Sequence, residues 1–250
     1  MAKFYVIDGL DGCGKATQTE LLKQELEKMG KKVKKIDFPK YESDSSAPVR
    51  MYLNGELGSD PTLLNPYACG TLYAVDRFIQ YVTDWKKYFD EDDNTVIIAD
   101  RYVSANIIHQ AGKITDREER NKYIEWCLDS EHNKFGLPRE NLTMYLTIKP
   151  ESSQKLLTSR YHGDNTKKDI HEGNLEYLNN CYSRFLESFA YINPDKHILN
   201  AVHIKCDSNN QNGVDSIEHI HKVIMYYVLK DLANEDLTKE LCSINSVDVK

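Results

Sequence analysis

Long apolar runs are missing from this chain. No stretch approaches the roughly 18 to 20 consecutive apolar residues that a membrane-crossing helix needs, so no membrane partner is expected. A strand-like run begins at Phe4, which leaves no room for a secretory leader, and the expected compartment is the cytoplasm. Basic charge is short as well: 32 Lys and Arg stand against 39 Asp and Glu, a formal net charge of −7. A general nucleic-acid binder needs a clustered basic excess, so no nucleic-acid partner is expected either. The densest basic run, Lys31-Lys32-Val33-Lys34-Lys35, reads as a solvated link between a helix end and a strand start. The six cysteines are scattered, with no Cys-x-x-Cys and no neighbouring His at metal-ligand spacing, which argues against a structural zinc site and for reduced thiols. Repeats and low-complexity linkers are also lacking. With 250 residues, 40% of them hydrophobic, one domain over residues 1–232 with a polar tail at 233–250 is the expected organisation.

What is present is concentrated near the N-terminus. Gly9-Leu10-Asp11-Gly12-Cys13-Gly14-Lys15-Ala16-Thr17 directly follows the apolar run Phe4-Tyr5-Val6-Ile7. Glycines at this spacing let the backbone wrap so that its amides and the next helix N-terminus face an anion, with Lys15 beside the outer phosphates. Nucleotide binding is the reading. The position after Lys15 departs from the full pattern, because Ala16 stands where a Ser or Thr hydroxyl helps hold Mg²⁺, and Thr17 follows one residue late. Cys13 at a helix N-terminus is either a reactive thiol or a small filler, and the filler reading is preferred.

Downstream, Leu21, Leu22 and Leu26 give a helix its apolar stripe, Gly30 ends it, and residues 33–38 read as a strand. This strand, helix, strand unit implies a parallel sheet. Further strands are expected at 95–99, 142–148 and 201–206, giving an α/β fold of three layers with five parallel strands. The helix at 67–82 is apolar on more than one face, which points to a symmetric homodimer through it, or else to cover from within the chain. Asp76 and Arg77 inside it are costly without partners, hence site candidates. An Asp215-x-x-Glu218 pattern is expected to cap the last helix, with Ile217, Ile220, Ile224, Tyr227 and Val228 along its inner face. Residues 159–173 are polar and basic in the middle, as a mobile lid is.

Asp100 and Arg101 follow a strand end, where ligands gather in parallel sheets. Arg101 is suited to gripping a phosphate and Asp100 to holding a Mg²⁺-bound water.

Five blocks in register then carry a resemblance: Gly9 to Lys15; Phe38-Pro39-Lys40-Tyr41; Leu72-Tyr73-Ala74-Val75-Asp76-Arg77-Phe78; Asp100-Arg101-Tyr102-Val103-Ser104-Ala105-Asn106 with Gln110; and Asp169-Ile170-His171-Glu172. Over about residues 1–230 the chain resembles the thymidylate kinases. The resemblance implies transfer of the γ-phosphate of ATP to dTMP, with Mg²⁺. It implies that Gly9, Asp11, Gly12, Cys13, Gly14, Lys15, Ala16, Thr17 and Arg160 serve ATP. Phe38, Pro39, Tyr41, Arg50, Tyr73, Arg77, Arg101, Ser104, Asn106, His109, Gln110 and Glu172, with Asp11, would form the dTMP site. In that assignment Tyr73 stacks on thymine, Arg77 bonds a thymine carbonyl, Asn106 reads the base edge and Arg101 holds the acceptor phosphate. Lys15, Arg101, Asp11, Lys167 and Lys168 would carry catalysis, and Asp11, Asp100, Thr17 and Asp169 would attend the metal. The chemistry agrees: a monophosphate has a second pKa of about 6, so its attacking oxygen is already an anion near neutrality and needs no general base.

Three departures stand out. Gly12 occupies a position where one branch of the family has an arginine, and the lid between Tyr161 and His171 offers only Lys167 and Lys168. His109 replaces a tyrosine that helps exclude ribonucleotides. Ala16 leaves the metal to phosphate oxygens, waters, Asp100 or Thr17. Two rival readings stay open: another phosphate-loop kinase acting on a deoxynucleoside or a different monophosphate, and a nucleotide-binding protein without transfer activity.

Overall fold

A computed structural model describes residues 2–89, 94–192, 200–207, 213–234 and 244–245. The apolar N-terminal run forms strand β1 (Lys3–Gly9), the phosphate loop leads into helix α1 (Lys15–Lys28), and β2 (Lys32–Asp37) completes the first crossover. Helices α2 (Ala47–Leu53) and α3 (Pro66–Gln80) precede β3 (Thr95–Asp100). Then come α4 (Ser104–His109), α5 (Arg117–Leu128), β4 (Leu142–Thr147), α6 (Pro150–Arg160), α7 (Leu175–Ile192), β5 (Ala201–Lys205) and α8 (Ile217–Leu232).

The strands lie in the order β2-β3-β1-β4-β5, all pairs parallel, as expected. A two-residue strand β6 (Ile244–Asn245) adds to the β5 edge, so part of the polar tail joins the sheet. The rest of the tail, Cys242 and the acidic residues 90–93 lie outside the described residues. Because β1 has β3 on one side and β4 on the other, the chain reverses its direction of winding there. Such a switch point leaves a crevice beyond the strand ends. Register sets Ile7 opposite Asp100 and Gly9 opposite Leu146, which brings the phosphate loop beside Asp100 and Arg101.

Alternation along β1 feeds two cores. Phe4 and Val6 join the side covered by α4, α5 and α7, whereas Tyr5 and Ile7 join the side covered by α1 and α8. On the first side Trp85 is fully buried among Phe4, Phe38, Tyr81 and Tyr102. Trp85 ends a wide π-helical turn (residues 81–85) that continues α3. Asn65 caps α3 by accepting from the amides of Tyr67 and Ala68, and Asp116 caps α5 by accepting from that of Glu119. The α8 cap is Ser216 rather than Asp215: its side chain accepts from the His219 amide, one residue later than the sequence pattern suggests. Ile217, the first residue of α8, faces outward at 52% exposure, contrary to its expected place on the inner face, while Ile220, Ile224, Tyr227 and Val228 are buried. The basic run is less solvated than expected, because Lys34 pairs with Asp84 and Lys35 with Glu20. No helix among the described residues is long and apolar enough to cross a membrane.

Between α4 and α5, Gly112 packs against α7 so closely that an added Cβ would sit 2.7 Å from Cys181 Sγ and 3.0 Å from its Cα. Backbone cannot yield as a flexible side chain can. Gly112→Ala is expected to lower stability by about 1–3 kcal/mol, as overpacking of a tight contact does; urea unfolding with nucleotide affinity as a control measures it.

Candidate functional site

The phosphate loop is shaped by two glycines that nothing else replaces. Gly9 sits at φ 148°, with an added Cβ only 2.1 Å from the Leu146 carbonyl on β4. Gly12 sits at φ 78°, where an added Cβ would lie 3.0 Å from Ser153 on α6. Packing against α6 therefore leaves no room for an arginine at position 12. Ser153 Oγ donates to the Asp11 carbonyl and fixes the loop from that side. Lys15 is buried, and its ammonium donates to the Leu10 carbonyl at 2.8 Å, so the loop is wrapped around its own cation. Cys13 fills the space beneath: burial pushes its thiol up, in line with the filler reading. Ala16 and Thr17 are exposed on the first turn of α1.

Arg101 follows β3 with a left-handed backbone, φ 68°, which turns its side chain back across the loop. One guanidinium nitrogen pairs with Asp11, and the other donates to His109 Nε2 at 3.0 Å. Burial disfavours charge on Asp11, but Arg101, then Lys15, outweigh it and hold the carboxyl well below the usual range. Asp8, near the end of β1, is different. Burial pushes its pKa up despite Arg101, and it accepts from the Gly9 amide at 2.8 Å and the Ser104 hydroxyl at 2.5 Å. Ser104 is thus spent on Asp8 and does not line the cleft.

The wall beyond Arg101 is histidine-rich. His109 and His171 stack with centroids 5.4 Å apart and planes 11° from parallel. Burial first, then Arg101, lowers His109 to about 3; burial and His109 itself hold His171 well below its ordinary value. Both rings are neutral at pH 7. Lys113 donates to the Tyr52 hydroxyl at 2.9 Å and that hydroxyl is hydrogen-bonded to His171 Nε2 at 2.7 Å, which holds the ring in place. Asp169 caps the following turn by accepting from the amides of His171 and Glu172, both at 2.8 Å. Burial and the charge of Asp11 raise Asp169 to about 7 and push Glu172 up as well, although Glu172 accepts from the Tyr161 hydroxyl. Three carboxyls thus converge on one place with unsatisfied mutual repulsion.

The opposite end of the cleft is built by α3. Arg77 is 1% exposed, and its Nε and Nη2 donate to the two oxygens of Glu131, each at 2.6 Å. Asn106 Nδ2 donates to Glu131 Oε1 at 3.0 Å and to the Gly70 carbonyl at 3.2 Å. Asp76 faces the other way and ties down the 40–45 loop, accepting from the Lys40 amide at 3.0 Å and the Ser45 hydroxyl at 2.5 Å. Its cost inside an apolar helix is met by that loop, which makes it structural.

The cleft so formed is lined by Asp11, Phe38, Pro39, Tyr41, Tyr73, Arg77, Arg101, Asn106, His109, Gln110 and Asp169, all expected from the sequence, together with Leu53, Ala105 and His171. Gln110 is fully buried there and neither its Oε1 nor its Nε2 has a hydrogen-bond partner. Other expected residues stand apart. Arg50 Nη1 donates to the carbonyls of Tyr41 and Ser43 and to Ser46 Oγ, which holds the 41–46 loop. Lys167 pairs loosely with Asp164 at 3.8 Å, Lys168 donates to Gln154 at 2.8 Å, and Arg160 lies over the Tyr161 ring. None of these lines the cleft. Sequence reasoning missed Glu131, Tyr52 and Lys113, which carry no local motif, and gave His171 no role although it stands inside the 169–172 block.

For a divalent metal, no group of three or more His, Cys, Asp or Glu side chains forms a cage among the described residues. The repulsion among Asp11, Asp169 and Glu172 marks where positive charge is wanted.

Comparison with known proteins gives a consistent outcome. The sequence model of one family, described as thymidylate kinase, matches residues 7–211. The chain is 29% identical over 148 residues to a thymidylate kinase of Mycobacterium tuberculosis, covering 58% of this chain and 65% of that protein. It is 29% identical over 227 residues to a probable thymidylate kinase of Methanosphaera stadtmanae, covering 90% of this chain and 100% of the other. A solved thymidylate kinase structure from Candida albicans aligns with a TM-score of 0.65 at 19% identity over 94% of both chains, a likeness of fold. The matched regions span about 65% of the length of the first curated relatives.

The neutral histidine pair makes a pH prediction. With His109 at about 3 when folded and an ordinary value of 6.5, the unfolded chain binds more protons between those limits. Stability from this source is complete above pH 6.5 and is lost as pH falls toward 3. Asp169, raised to about 7, acts in the opposite sense between 3.8 and 7, so the comparison is between variants. Urea midpoints at pH 7, 6 and 5 should fall less steeply for His171→Gln than for the parent chain.

Proposed function

The chain belongs to the thymidylate kinase family, and on that premise we propose that it transfers the γ-phosphate of ATP to dTMP, giving dTDP for dTTP synthesis. The observation that carries this reading is Arg101, turned by its left-handed backbone into the space between the phosphate loop and the Tyr73, Arg77, Asn106 end of the cleft. A fork-shaped cation there has use for an acceptor that already bears phosphate. Its carboxylate partner Asp11 holds the guanidinium oriented until the phosphate dianion takes its place.

No side chain needs to act as a base, since the acceptor oxygen is already ionised near neutrality. Transfer then rests on alignment and charge neutralisation. The loop amides and Lys15 take the donor phosphates, with Arg101 on the acceptor phosphate. Tyr73 stacks on the base, Phe38, Pro39 and Tyr41 close its flank, and Gln110 offers its unpaired amide to the nucleotide. Mg²⁺, when bound, supplies neutralisation across the phosphate oxygens; Asp11, Asp100, Asp169 and Thr17 are the residues that would hold it or its waters. Residues 159–173 form a lid on a single kinase domain. Arg160, Lys167 and Lys168 are its cations: Arg160 lies over the Tyr161 ring, Lys167 has an exposed ion pair with Asp164, and Lys168 exchanges its 2.8 Å hydrogen bond to Gln154 for phosphate as the lid closes and excludes water.

The enzyme is proposed to work as a cytoplasmic homodimer without nucleic-acid partners. Support comes from one face of α3 and the turn after it, where Val75, Phe78, Ile79 and Val82 are 37%, 40%, 36% and 53% exposed at helical spacing. Sedimentation of Phe78→Glu should then give a monomer where the parent chain gives a dimer.

Kinetics with ATP, Mg²⁺ and a panel of nucleoside monophosphates test the reaction: dTMP is expected as the preferred acceptor, and intact ATP binding without dTDP would defeat the proposal. Arg101→Ala should reduce kcat/KM for dTMP by about a hundredfold or more, as loss of a positioned charge does, while ATP affinity is nearly unchanged. Equal loss of both would mean that Arg101 serves the donor.

A further inference from the structure

Glu131 lies in a wide π-helical turn (residues 129–134) that follows α5, is 1% exposed, and has no part in the reaction described above. It accepts hydrogen bonds from Arg77 Nε and Nη2, each at 2.6 Å, and from Asn106 Nδ2 at 3.0 Å. An ionised carboxylate is acceptor-only, and the Gly70 carbonyl, 3.2 Å from the same Asn106 nitrogen, is acceptor-only too. Together they fix the amide in one of its two flips. Nδ2 is bound to the protein scaffold, so Oδ1 is the atom left for a ligand. The same carboxylate takes one edge of the Arg77 guanidinium and leaves Nη1 for the cleft that both residues line. The wall therefore offers a donor from Arg77 next to an acceptor from Asn106.

We propose that Glu131 is the positioning residue for base selection, setting the Arg77–Asn106 pair to a donor–acceptor pattern that fits a 4-oxo, N3–H pyrimidine and rejects a 4-amino one. The inference rests on the proposed dTMP site. Thymine presents a carbonyl at C4 and an N–H at N3, which match Nη1 and Oδ1; cytosine presents an amino group and a bare nitrogen, so it meets donor with donor and acceptor with acceptor. Gly70 keeps this wall closed, because an added Cβ would lie 2.5 Å from the Tyr123 hydroxyl and 3.5 Å from Asn106 Nδ2. Neutral glutamine at 131 cannot accept from all three donors. Its own amide must face Arg77 or Asn106, and in the second case the Asn106 amide turns over and offers Nδ2 to the base.

Calorimetric titration of the full chain with dTMP, dCMP and ATP tests this, and it reads binding without transfer. In Glu131→Gln the ratio of dTMP to dCMP affinity is expected to fall about tenfold or more, the effect of one mispaired hydrogen bond, with ATP affinity held. If that variant does not fold, Glu131→Asp, which keeps the charge but withdraws it by one methylene, is expected to lower the same ratio. An unchanged ratio in a folded variant, or equal loss for dTMP, dCMP and ATP, would overturn the inference. A parent chain that makes no dTDP yet prefers dTMP over dCMP, with the preference lost in the variant, would defeat the proposed reaction and support the role of Glu131.

Discussion

A charge taken out of water must find an opposite charge, and that requirement organises this molecule around Arg101. Its backbone is turned by a left-handed φ at the end of β3, and its guanidinium reaches across the switch point of the sheet to Asp11 in the phosphate loop. Every neighbouring group adjusts to that cation. Asp11 is held ionised, His109 gives it a neutral ring nitrogen, and Asp8 beneath remains pushed up by burial in spite of it. The site is a set of charges assembled before any substrate arrives, which is what charge-neutralising catalysis asks of a protein.

The same rule repeats at the other end of the cleft in a different form. Arg77 and Glu131 make a buried, two-point ion pair, and such pairs are weak evidence for stability because desolvation offsets most of the attraction. Their value lies in direction, since a guanidinium fork and a carboxylate have one good mutual geometry. Removing one member would strand the other at a cost of about 3–5 kcal/mol. Between these two ion pairs the cleft is lined by aromatic rings, with Tyr73, Phe38 and the histidine stack.

Acidic groups supply the remaining tension. Asp11, Asp169 and Glu172 repel one another although Arg101 and Lys15 hold Asp11 ionised, and burial together with the charge of Asp11 raises Asp169 and Glu172.

Much of this was legible in the letters. The strand, glycine loop and helix at residues 3–28 implied a parallel sheet, and Arg101 after a strand end pointed to a grip on phosphate. Eleven cleft residues expected from sequence line it. What the letters did not carry was direction. Arg50 and Ser104 have the right chemistry but are spent on the 41–46 loop and on Asp8, because a local turn and a buried carboxylate reached them first. Glu131 is separated from Arg77 by 54 residues and belongs to no motif, so only the packing of α5 against α3 joins them. His171 and His109 likewise meet only because the fold brings distant segments together. By itself the sequence determined the order of elements, the phosphate loop and the kinds of charge available, since periodicity and glycine spacing act along the chain. The tertiary structure alone decided which charges pair and so which are left for a ligand, because partners across the sheet are chosen by burial and not by neighbourhood.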